Sequence, residues 1–300
     1  MLSLERLRVL HAVAATASLS GAARALHVTT SAVSQAMARL EREVGQPLVE
    51  RQGRGIRLTE AGALLAARAG DLLRHVEEVE SDLAEKRGTV SGRLTVAAFA
   101  TAARGLLPGA LGDLRSRHPQ LRAHLTELEP HESVPALARG DVDVAVVQDW
   151  VDDPLAVPEG LVRRHLLDDT YDVALPLGHP LAGRGSLAVK ELADDDWVGW
   201  SAGQICHDWL VRTLAEDGVE PRIAHTASEH STQLALVAAG LGAAVIPRLG
   251  REPAPPAVRF VAIDPPPERR VFALWRASAG ARPAVRAAVE SLQAGARGRG

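Results

Sequence analysis

The stretch ALHVTTSAVSQAMARL, which runs from Ala25 to Leu40, has a face that an ordinary surface helix does not show. Val33, Met37 and Leu40 repeat at helical spacing and can pack inward. The opposite face carries only short or amide-bearing side chains, namely those of Thr30, Ser31, Ser34, Gln35 and Ala38. Since a solvated helix face normally carries charged residues, this pattern predicts a face that contacts another molecule.

The surrounding segments predict two further helices before this one. Three hydroxyl residues are placed to cap helix N-termini: Ser3, Ser20 and Thr29. The helices that follow them are predicted at residues 3–16, 20–26 and 29–44. Gly45 is the expected left-handed residue at the end of the third helix. Two short helices joined by a tight connection form a helix-turn-helix, and its second helix is the one with the uncharged face.

A wing is predicted directly after these helices. In LVERQGRGIRLT (residues 48–59), two short apolar stretches flank a turn rich in glycine and arginine, which is typical of a β-hairpin. Residues 1–58 are therefore predicted to form a winged helix-turn-helix DNA-binding domain. They hold eight arginines against four glutamates, an excess of four positive charges, whereas the whole chain has a net charge of −3. A basic domain on an acidic remainder suggests a polyanionic partner.

A helix presented to the major groove needs short donors and acceptors at its N-terminal end, because long charged chains would block close approach. Gln35 can pair bidentately with an adenine edge, and the helix N-terminus at Thr29 suits a phosphate. Arginines of the wing suit phosphates or the minor groove. The candidate DNA-contacting residues are Thr29, Thr30, Ser31, Ser34, Gln35, Arg39, Arg51, Arg54 and Arg57.

Residues 59–87 are predicted to form one long linker helix, capped by Thr59. Two interleaved series of apolar residues recur every seven positions, which indicates a coiled-coil seam. The residues predicted to line a homodimer interface are Leu65, Leu72, Val76, Val79 and Leu83. The alternative is that this stripe packs on the chain's own C-terminal domain.

Beyond the linker, strand-like runs such as DVDVAVV (141–147) and YDVALPL (171–177) alternate with helical ones. This βαβ pattern predicts an α/β region with parallel sheets, arranged as two lobes with a ligand cleft between them. The first lobe is assigned to residues 92–161 and 268–300, and the second lobe to residues 162–267.

The order of these parts resembles the LysR-type transcriptional regulators over essentially the whole chain. The most specific segments are LRVLHAVAATASLSGAARALHVTTSAVSQAMARLEREVGQPLVERQGRGIRLTEAG (7–62) and LALVAAGLGAAVIP (234–247). The resemblance implies a winged DNA-binding domain, a dimerising linker helix and two periplasmic-binding-protein-like subdomains. It also implies effector-responsive regulation from an inverted-repeat promoter site, usually by a homotetramer, with RNA polymerase as a further candidate partner. The chain departs from the family pattern at Thr30, Ser31, Gln35 and Val49, so no consensus operator is carried over.

Candidate effector residues follow predicted strands at the starts of helices, where hydroxyl and amide donors suit a carboxylate. They are Thr101, His131, Gln148, Ser201 and Ser231. The acids Glu129 and Glu132 belong to the same segments and could instead pair with an amine. The sequence thus predicts a small-molecule effector without settling its charge.

Two other classes compete with the regulator. GWSAG (199–203) matches the G-x-S-x-G pattern of a serine hydrolase with Ser201 as nucleophile, but no HGGG-type oxyanion segment precedes it. A solute-binding protein would share the two lobes but leaves the first 87 residues unexplained. No cofactor or metal is expected, because the eleven histidines are scattered, and the single cysteine, Cys206, excludes an internal disulfide. Without a signal-like or membrane-spanning segment, a cytoplasmic, nucleoid-associated protein is expected.

Overall fold

The structure is a computed structural model that describes residues 2–26, 28–52, 55–85, 89–251 and 253–298. The chain forms two compact units: the first is residues 1–92 together with Arg282–Ala284, and the second is the rest of the chain from Arg93 onward. The first unit contains helices α1 (Leu4–Thr16), α2 (Leu19–Leu26), α3 (Thr30–Val44) and α4 (Glu60–Glu85), and strands β1 (Val49–Gln52) and β2 (Gly55–Leu58). None of the described helices combines the length and apolar composition that crossing a membrane requires.

The small core of the first unit explains why these helices pack as they do. The apolar side of α3, with Val33, Met37 and Leu40, is buried against apolar residues of α1 and α2. The start of α4 joins the same core through Ala66 and Ala69. Because these side chains recur at helical spacing, each helix buries one stripe and leaves the opposite side exposed.

Three of the five predicted caps have the expected hydrogen bond or left-handed backbone, and Ser3 holds the N-cap position of α1 without a side-chain hydrogen bond. Thr29 Oγ1 accepts the N–H of Ala32, Thr59 Oγ1 accepts the N–H of Gly62, and Gly45 ends α3 with a φ of 78°. The prediction for Ser20 is wrong, because α2 begins at Leu19 and the hydroxyl of Ser18 accepts the N–H of Gly21. Both serines have the right chemistry for a cap, so side-chain chemistry alone does not decide between them.

The wing is held against α3 and α4 by short-range contacts. Strands β1 and β2 pair antiparallel, with Val49 opposite Leu58. Glu41 Oε1 accepts the backbone N–H of Leu48 at 2.8 Å. A Cβ at Gly62 would lie 1.9 Å from the Leu48 carbonyl oxygen, so only glycine permits α4 to approach the wing this closely.

The predicted dimer seam lies along α4 with its apolar side chains unburied. Leu72 is 46% exposed, Val79 is 58% exposed and Leu83 is 54% exposed. Leu65 and Val76 are half-buried. Large apolar side chains on one line of a helix are costly to leave in water, so this stripe suits a partner surface.

The second unit contains eleven strands among the described residues. These are β3 (Gly92–Ala98), β4 (Leu121–Glu127), β5 (Val144–Trp150), β6 (Leu161–Asp169), β7 (Tyr171–Pro176), β8 (Ser186–Leu187), β9 (Asp196–Gly199), β10 (Arg222–Thr226), β11 (Ala244–Pro247), β12 (Val258–Ile263) and β13 (Arg269–Arg276). The helices are α5 (Ala100–Gly105), α6 (Leu107–Arg117), α7 (Pro130–Arg139), α8 (Ile205–Glu216), α9 (His230–Ala238) and α10 (Pro283–Arg297), with short 3-10 helices at Val189–Leu192 and Ala277–Ala279.

These strands form two lobes. The first lobe has a five-stranded sheet in the order β4-β3-β5-β13-β6, and the second has a four-stranded sheet in the order β11-β7-β12-β8. Strands β9 and β10 form a small parallel pair, and Trp197 of β9 bridges to Ala243 next to β11. An α/β region with two lobes is therefore confirmed.

The prediction that these sheets are parallel is wrong in part. Strand β5 pairs parallel with β3, but β13 runs antiparallel to both β5 and β6. In the second lobe β7 pairs antiparallel with both β11 and β12. The chain leaves the first lobe after β6 and returns to it at β13. Strand β13 re-enters the first sheet with Arg269 opposite Trp150, at the end where β5 finishes, and therefore runs antiparallel to β5.

The strand pairing also bears on the boundary between the lobes. Strand β6 pairs with β13 from Leu161 to Asp169, so a boundary between residues 161 and 162 would cut a strand of the first sheet. We therefore assign the crossing into the second lobe to Thr170. The return crossing lies between Ile263 and Arg269, close to the predicted position.

Candidate DNA-binding helix and ligand cleft

The uncharged face of α3 is exposed over its whole length. Thr29, Thr30, Ser31, Ser34, Gln35 and Arg39 are all exposed, whereas Val33, Met37 and Leu40 are buried. The structure therefore brings together on one surface six of the nine residues predicted to contact DNA. Because no long charged side chain precedes Arg39 on this helix, the surface can approach a base edge closely.

The N-terminus of α3 is shaped by its own cap. Thr29 Oγ1 lies 3.2 Å from the Ala32 nitrogen and 2.9 Å from the hydroxyl of Ser31. The first N–H groups of a helix have no intrahelical acceptor, and together with the helix dipole they attract an anion. This end of α3 can thus hold a phosphate beside the polar face.

The contacts of the three wing arginines are described to different extents. Arg57 donates to Glu50 on the neighbouring strand, with 2.8 Å between Nε and Oε1, so a phosphate would compete with that carboxylate. The backbone of Arg51 lies in β1, and Arg54 lies outside the described residues. Arg39 has no hydrogen bond or ion pair within the described part of the chain, which leaves its guanidinium available.

A cavity of about 730 Å³ lies between the two lobes of the second unit. Four of the five predicted effector residues line it: Thr101, His131, Gln148 and Ser231. They come from both lobes, since α5, α7 and β5 belong to the first and α9 belongs to the second. The volume falls in the range that small-molecule sites occupy.

Ser201 is the exception, and the prediction that it lines the cleft is wrong. Its neighbour Trp200 forms part of the cavity wall, whereas Ser201 is exposed and absent from the lining. Consecutive side chains of an extended chain point in opposite directions, which accounts for this difference. Nor does Ser201 have a side-chain hydrogen bond within the described ranges, and GWSAG therefore has no nucleophile–base pair there.

The centre of the cleft is a buried arginine that sequence reasoning missed. Arg269, at the start of β13, is only 2% exposed. Its Nε and Nη2 donate to Asp169 Oδ2 at 2.9 and 2.6 Å, and Asp169 Oδ1 accepts the N–H of Leu249. Nη2 also donates to Thr101 Oγ1 at 2.9 Å, and Nη1 donates to Gln148 Oε1. Arg269 thus ties together two of the predicted effector residues.

The charges around the cavity are uneven. Arg104 and Arg269 are its cationic residues, and its acids are Glu127, Glu129, Glu132, Asp153, Asp208 and Glu229. Burial raises the pKa of Glu129, against a lowering influence from the hydrogen bond with the Ala100 backbone. Burial, followed by the charges of Arg104 and Arg269, lowers the pKa of His230 from 6.5 to about 3. His230 is therefore neutral at pH 7.

Contacts between the lobes flank the cavity. Arg104 Nε donates to the Gly250 carbonyl oxygen at 2.5 Å, and Arg212 lies within 3.2 Å of Asp152 and 3.0 Å of Asp153. Trp150 stacks on Trp209 with 5.1 Å between ring centroids. A ligand that changes the lobe orientation must act against these contacts.

Two family models match the chain. One, described as the LysR substrate binding domain, matches residues 87–297. The other, described as a bacterial regulatory helix-turn-helix protein of the lysR family, matches residues 4–63. Together they span the DNA-binding helix and both lobes of the cleft.

Curated relatives and solved structures agree with these matches. The chain is 31% identical to a probable HTH-type transcriptional regulator, LrrA, of Synechococcus elongatus over 97% of each chain. It is 30% identical to a probable hydrogen peroxide-inducible genes activator of Mycobacterium avium, over 91% of this chain and 88% of that one. Full-length OxyR from Pseudomonas aeruginosa has a similar fold, with a TM-score of 0.75, 23% identity and 98% coverage of both chains. Full-length CbnR complexed with its target DNA has a TM-score of 0.67 at 22% identity, covering 98% of this chain and all of that one.

Proposed function

The chain belongs to the LysR family of bacterial transcriptional regulators, and we propose that α3 reads its promoter while a ligand in the cleft modulates that binding. It is a DNA-binding regulator with an effector-binding region and not an enzyme. The observation that carries the proposal is the exposed, uncharged face of α3 beside a helix N-terminus that suits a phosphate.

On double-stranded promoter DNA, α3 lies in the major groove. Thr30, Ser31, Ser34 and Gln35 meet base edges, since their side chains are short and exposed. Arg39, Arg51, Arg54 and Arg57 are assigned to phosphates or to the minor groove. A protein with this target acts on the nucleoid, in the cytoplasm.

We expect Gln35→Ala to weaken binding to the cognate promoter by about 1–3 kcal/mol, roughly 5- to 150-fold, and to relax sequence preference. The reason is the loss of a bidentate pair to a base without any change in protein charge. Arg39→Ala is the matched control on the same exposed side of α3. It should weaken all sequences similarly and reduce the salt slope by about one.

The measurement is fluorescence anisotropy with promoter and scrambled duplexes over a range of salt concentrations. If Gln35→Ala weakens both duplexes equally, α3 does not read bases through Gln35. If the chain binds no upstream fragment and instead shows an esterase activity that Ser201→Ala abolishes, the hydrolase alternative replaces the regulator.

The regulator acts as a homodimer joined through α4 in this proposal. The exposed line of Leu72, Val79 and Leu83 supports it, because a second copy of α4 would cover all three side chains. A dimer presents two α3 helices and therefore suits an inverted-repeat site. Pairing of dimers into a homotetramer and contact with RNA polymerase are further parts of this proposal, which the family resemblance suggests.

The ligand acts through the relative orientation of the two lobes. Both lobes contribute residues to the cavity, so binding favours one orientation over others. The resulting change in promoter affinity cannot exceed the ligand's differential affinity for the two states, typically about 1–3 kcal/mol. A carboxylate is the simplest anion for the donors Thr101, His131, Gln148 and Ser231.

Peroxide sensing does not extend from the relatives to this chain in our proposal. Cys206, the single cysteine, is 8% exposed and lies 3.5 Å from the Tyr171 hydroxyl. Burial raises the pKa of its thiol from 9.0 to about 11. The reactive species toward peroxide is the thiolate, which is scarce at neutral pH under these conditions.

We therefore expect Cys206 in the native chain to react with a disulfide reagent such as DTNB at least about 100-fold more slowly than in the unfolded chain. The rise of the thiol pKa from 9.0 to about 11 lowers the thiolate fraction at neutral pH by that factor. Because Cys206 is the only thiol, absorbance reports it directly. Cys206→Ser should retain promoter binding with and without peroxide. Rapid oxidation of the native thiol by micromolar peroxide would show that the chain senses peroxide after all.

A further inference from the structure

The buried arginine determines which atoms of its neighbours face the cavity. A guanidinium only donates hydrogen bonds, so Thr101 and Gln148 accept from Arg269 through their oxygen atoms. The hydroxyl proton of Thr101 and the amide nitrogen of Gln148 then remain as donors. Neither has an acceptor among the described residues, although Thr101 is 3% exposed and Gln148 is 4% exposed. These two residues therefore present donors to the cavity.

His230 adds a third donor from the opposite lobe. Its Nδ1 lies 3.5 Å from Arg104 Nη2 and accepts, because arginine cannot. Since the ring is neutral, its proton is on Nε2. That atom is buried, and it lacks a hydrogen-bond partner in the described ranges, while the side chain is only 9% exposed and lines the cavity. An unpaired buried donor is unfavourable until an acceptor arrives.

The acids of the cavity, in contrast to these donors, need a hydrogen-bond donor or a positive charge from a ligand. Asp153 pairs with Arg212, and Asp208 lies 2.9 Å from His207. The four glutamates form no ion pair within the described part of the chain, but Glu129 is half-buried whereas Glu127, Glu132 and Glu229 are exposed. The carboxyl group of Glu129 is partly buried and is hydrogen-bonded to the Ala100 backbone. The nearby charges of His131 and Arg269 also lower the pKa of Glu129, but neither residue forms an ion pair with it, so a positive ligand group in contact with the carboxylate would stabilise it further.

Apolar side chains fill much of the remaining wall. Phe99 and Trp200 are nearly fully buried, and Leu128, Leu155 and Ile205 also line the cavity. Such surfaces favour an apolar or aromatic ligand group. Donors, an unpaired acid and an apolar wall therefore coexist in one cavity.

We propose that the cleft binds a zwitterionic α-amino acid with an apolar side chain. Its carboxylate accepts hydrogen bonds from Thr101, Gln148 and His230, and its ammonium group pairs with Glu129. Phe99 and Trp200 contact the side chain. This inference rests on the proposed function, in which the cleft is the effector site, and it adds the chemical class of the effector.

The test uses the full chain and two matched sets of probes in isothermal calorimetry. One set is L-phenylalanine, phenethylamine and 3-phenylpropanoate, and the other is L-leucine, 3-methylbutylamine and 4-methylpentanoate. Within each set the side chain is the same and only the charged groups differ. We expect at least one amino acid to bind at least about tenfold tighter than both its amine and its acid analogue. The inference is overturned if an analogue with a single charge binds equally well, or if neither amino acid binds at about 10 mM.

Two variants separate the two ends of the ligand. Glu129→Gln removes the charge but keeps an oxygen for the Ala100 N–H, so it should weaken amino acid and amine about tenfold and spare the acid analogue. His230→Phe keeps a ring beside Trp200 but removes the donor, so it should weaken amino acid and acid analogue and spare the amine. A misfolded variant would lose all three probes together, and the unliganded melting temperature checks this separately. If properly folded variants weaken all three probes alike, the assigned orientation is wrong.

Promoter binding distinguishes this inference from the proposed function. A chain that shifts its own promoter but prefers an analogue with a single charge remains a regulator, and only the ligand class is overturned. A chain that binds no promoter fragment contradicts the proposed function, whatever its ligand binding.

Discussion

Replacing Arg269 with methionine should lower the free energy of unfolding of the second unit by about 3–5 kcal/mol. The substitution leaves Asp169, whose side chain is 6% exposed, as a buried carboxylate without its cation. Thr101 and Gln148 lose their donor at the same time. Methionine retains an unbranched apolar chain, so the loss reports the missing charge and hydrogen bonds. Urea unfolding, followed by the fluorescence of tryptophans, all five of which lie in this unit, measures it.

The matched control is Arg270→Met, one residue further along β13. Arg270 pairs with Asp149, which is equally buried, but Asp149 keeps a second arginine, Arg163, at 3.3 Å. We therefore expect a smaller loss, about 1 kcal/mol. Adding Asp169→Asn to the Arg269→Met variant should restore part of the stability, because it removes the unpaired charge. Equal losses in the free energy of unfolding for Arg269→Met and Arg270→Met would contradict the proposal that Arg269 is the more important residue for the stability of the second unit.

Leu72→Glu should convert the dimer into monomers and weaken promoter binding by more than about 100-fold. In a symmetric seam each copy contributes one glutamate, so two like charges are buried together where two leucines would pack. A monomer reads only one half of an inverted repeat and loses the affinity gained from reading both halves together. Light scattering gives the mass, and anisotropy with the promoter duplex gives the affinity.

Ala67→Glu is the control for this prediction. It adds the same charge to the same helix at an exposed position outside the line of Leu65, Leu72 and Val79. The dimer mass should therefore be unchanged by Ala67→Glu. An unchanged mass after Leu72→Glu would show that α4 does not form the dimer seam. It would favour the alternative that the apolar stripe of α4 packs on the chain's own C-terminal domain.

The first unit was largely predictable because its signals are local. The stripe of Val33, Met37 and Leu40, the cap at Thr29 and the left-handed Gly45 act within a few residues of each other. Short-range signals of this kind bias the unfolded chain as well as the folded one. Ser20 shows their limit, because Ser18 and Ser20 lie on either side of Leu19 and could each cap α2, and in the structure Ser18 is the cap.

In the second unit, local signals in the sequence were not sufficient to predict strand direction or the lining of the cavity. Hydrophobic alternation identified the strands, but the direction of β13 depends on the end of the first sheet at which the returning chain enters. Ser201 had the right side chain after the right strand, yet its neighbour Trp200 lines the cavity and Ser201 does not. Both outcomes depend on contacts between residues far apart in sequence.

The sequence by itself determined the winged domain, the long linker helix, the two-lobed α/β region and the residues on the exposed side of α3. Those features follow from periodicity, capping and charge, which are properties of neighbouring residues. Only the tertiary structure brought Arg269, Asp169, Gln148 and Thr101 together, across sequence separations of 100, 121 and 168 residues from Arg269. The physical reason is that a buried charge is tolerated only where the fold supplies partners from several strands at once, and no local pattern in the chain encodes such a meeting.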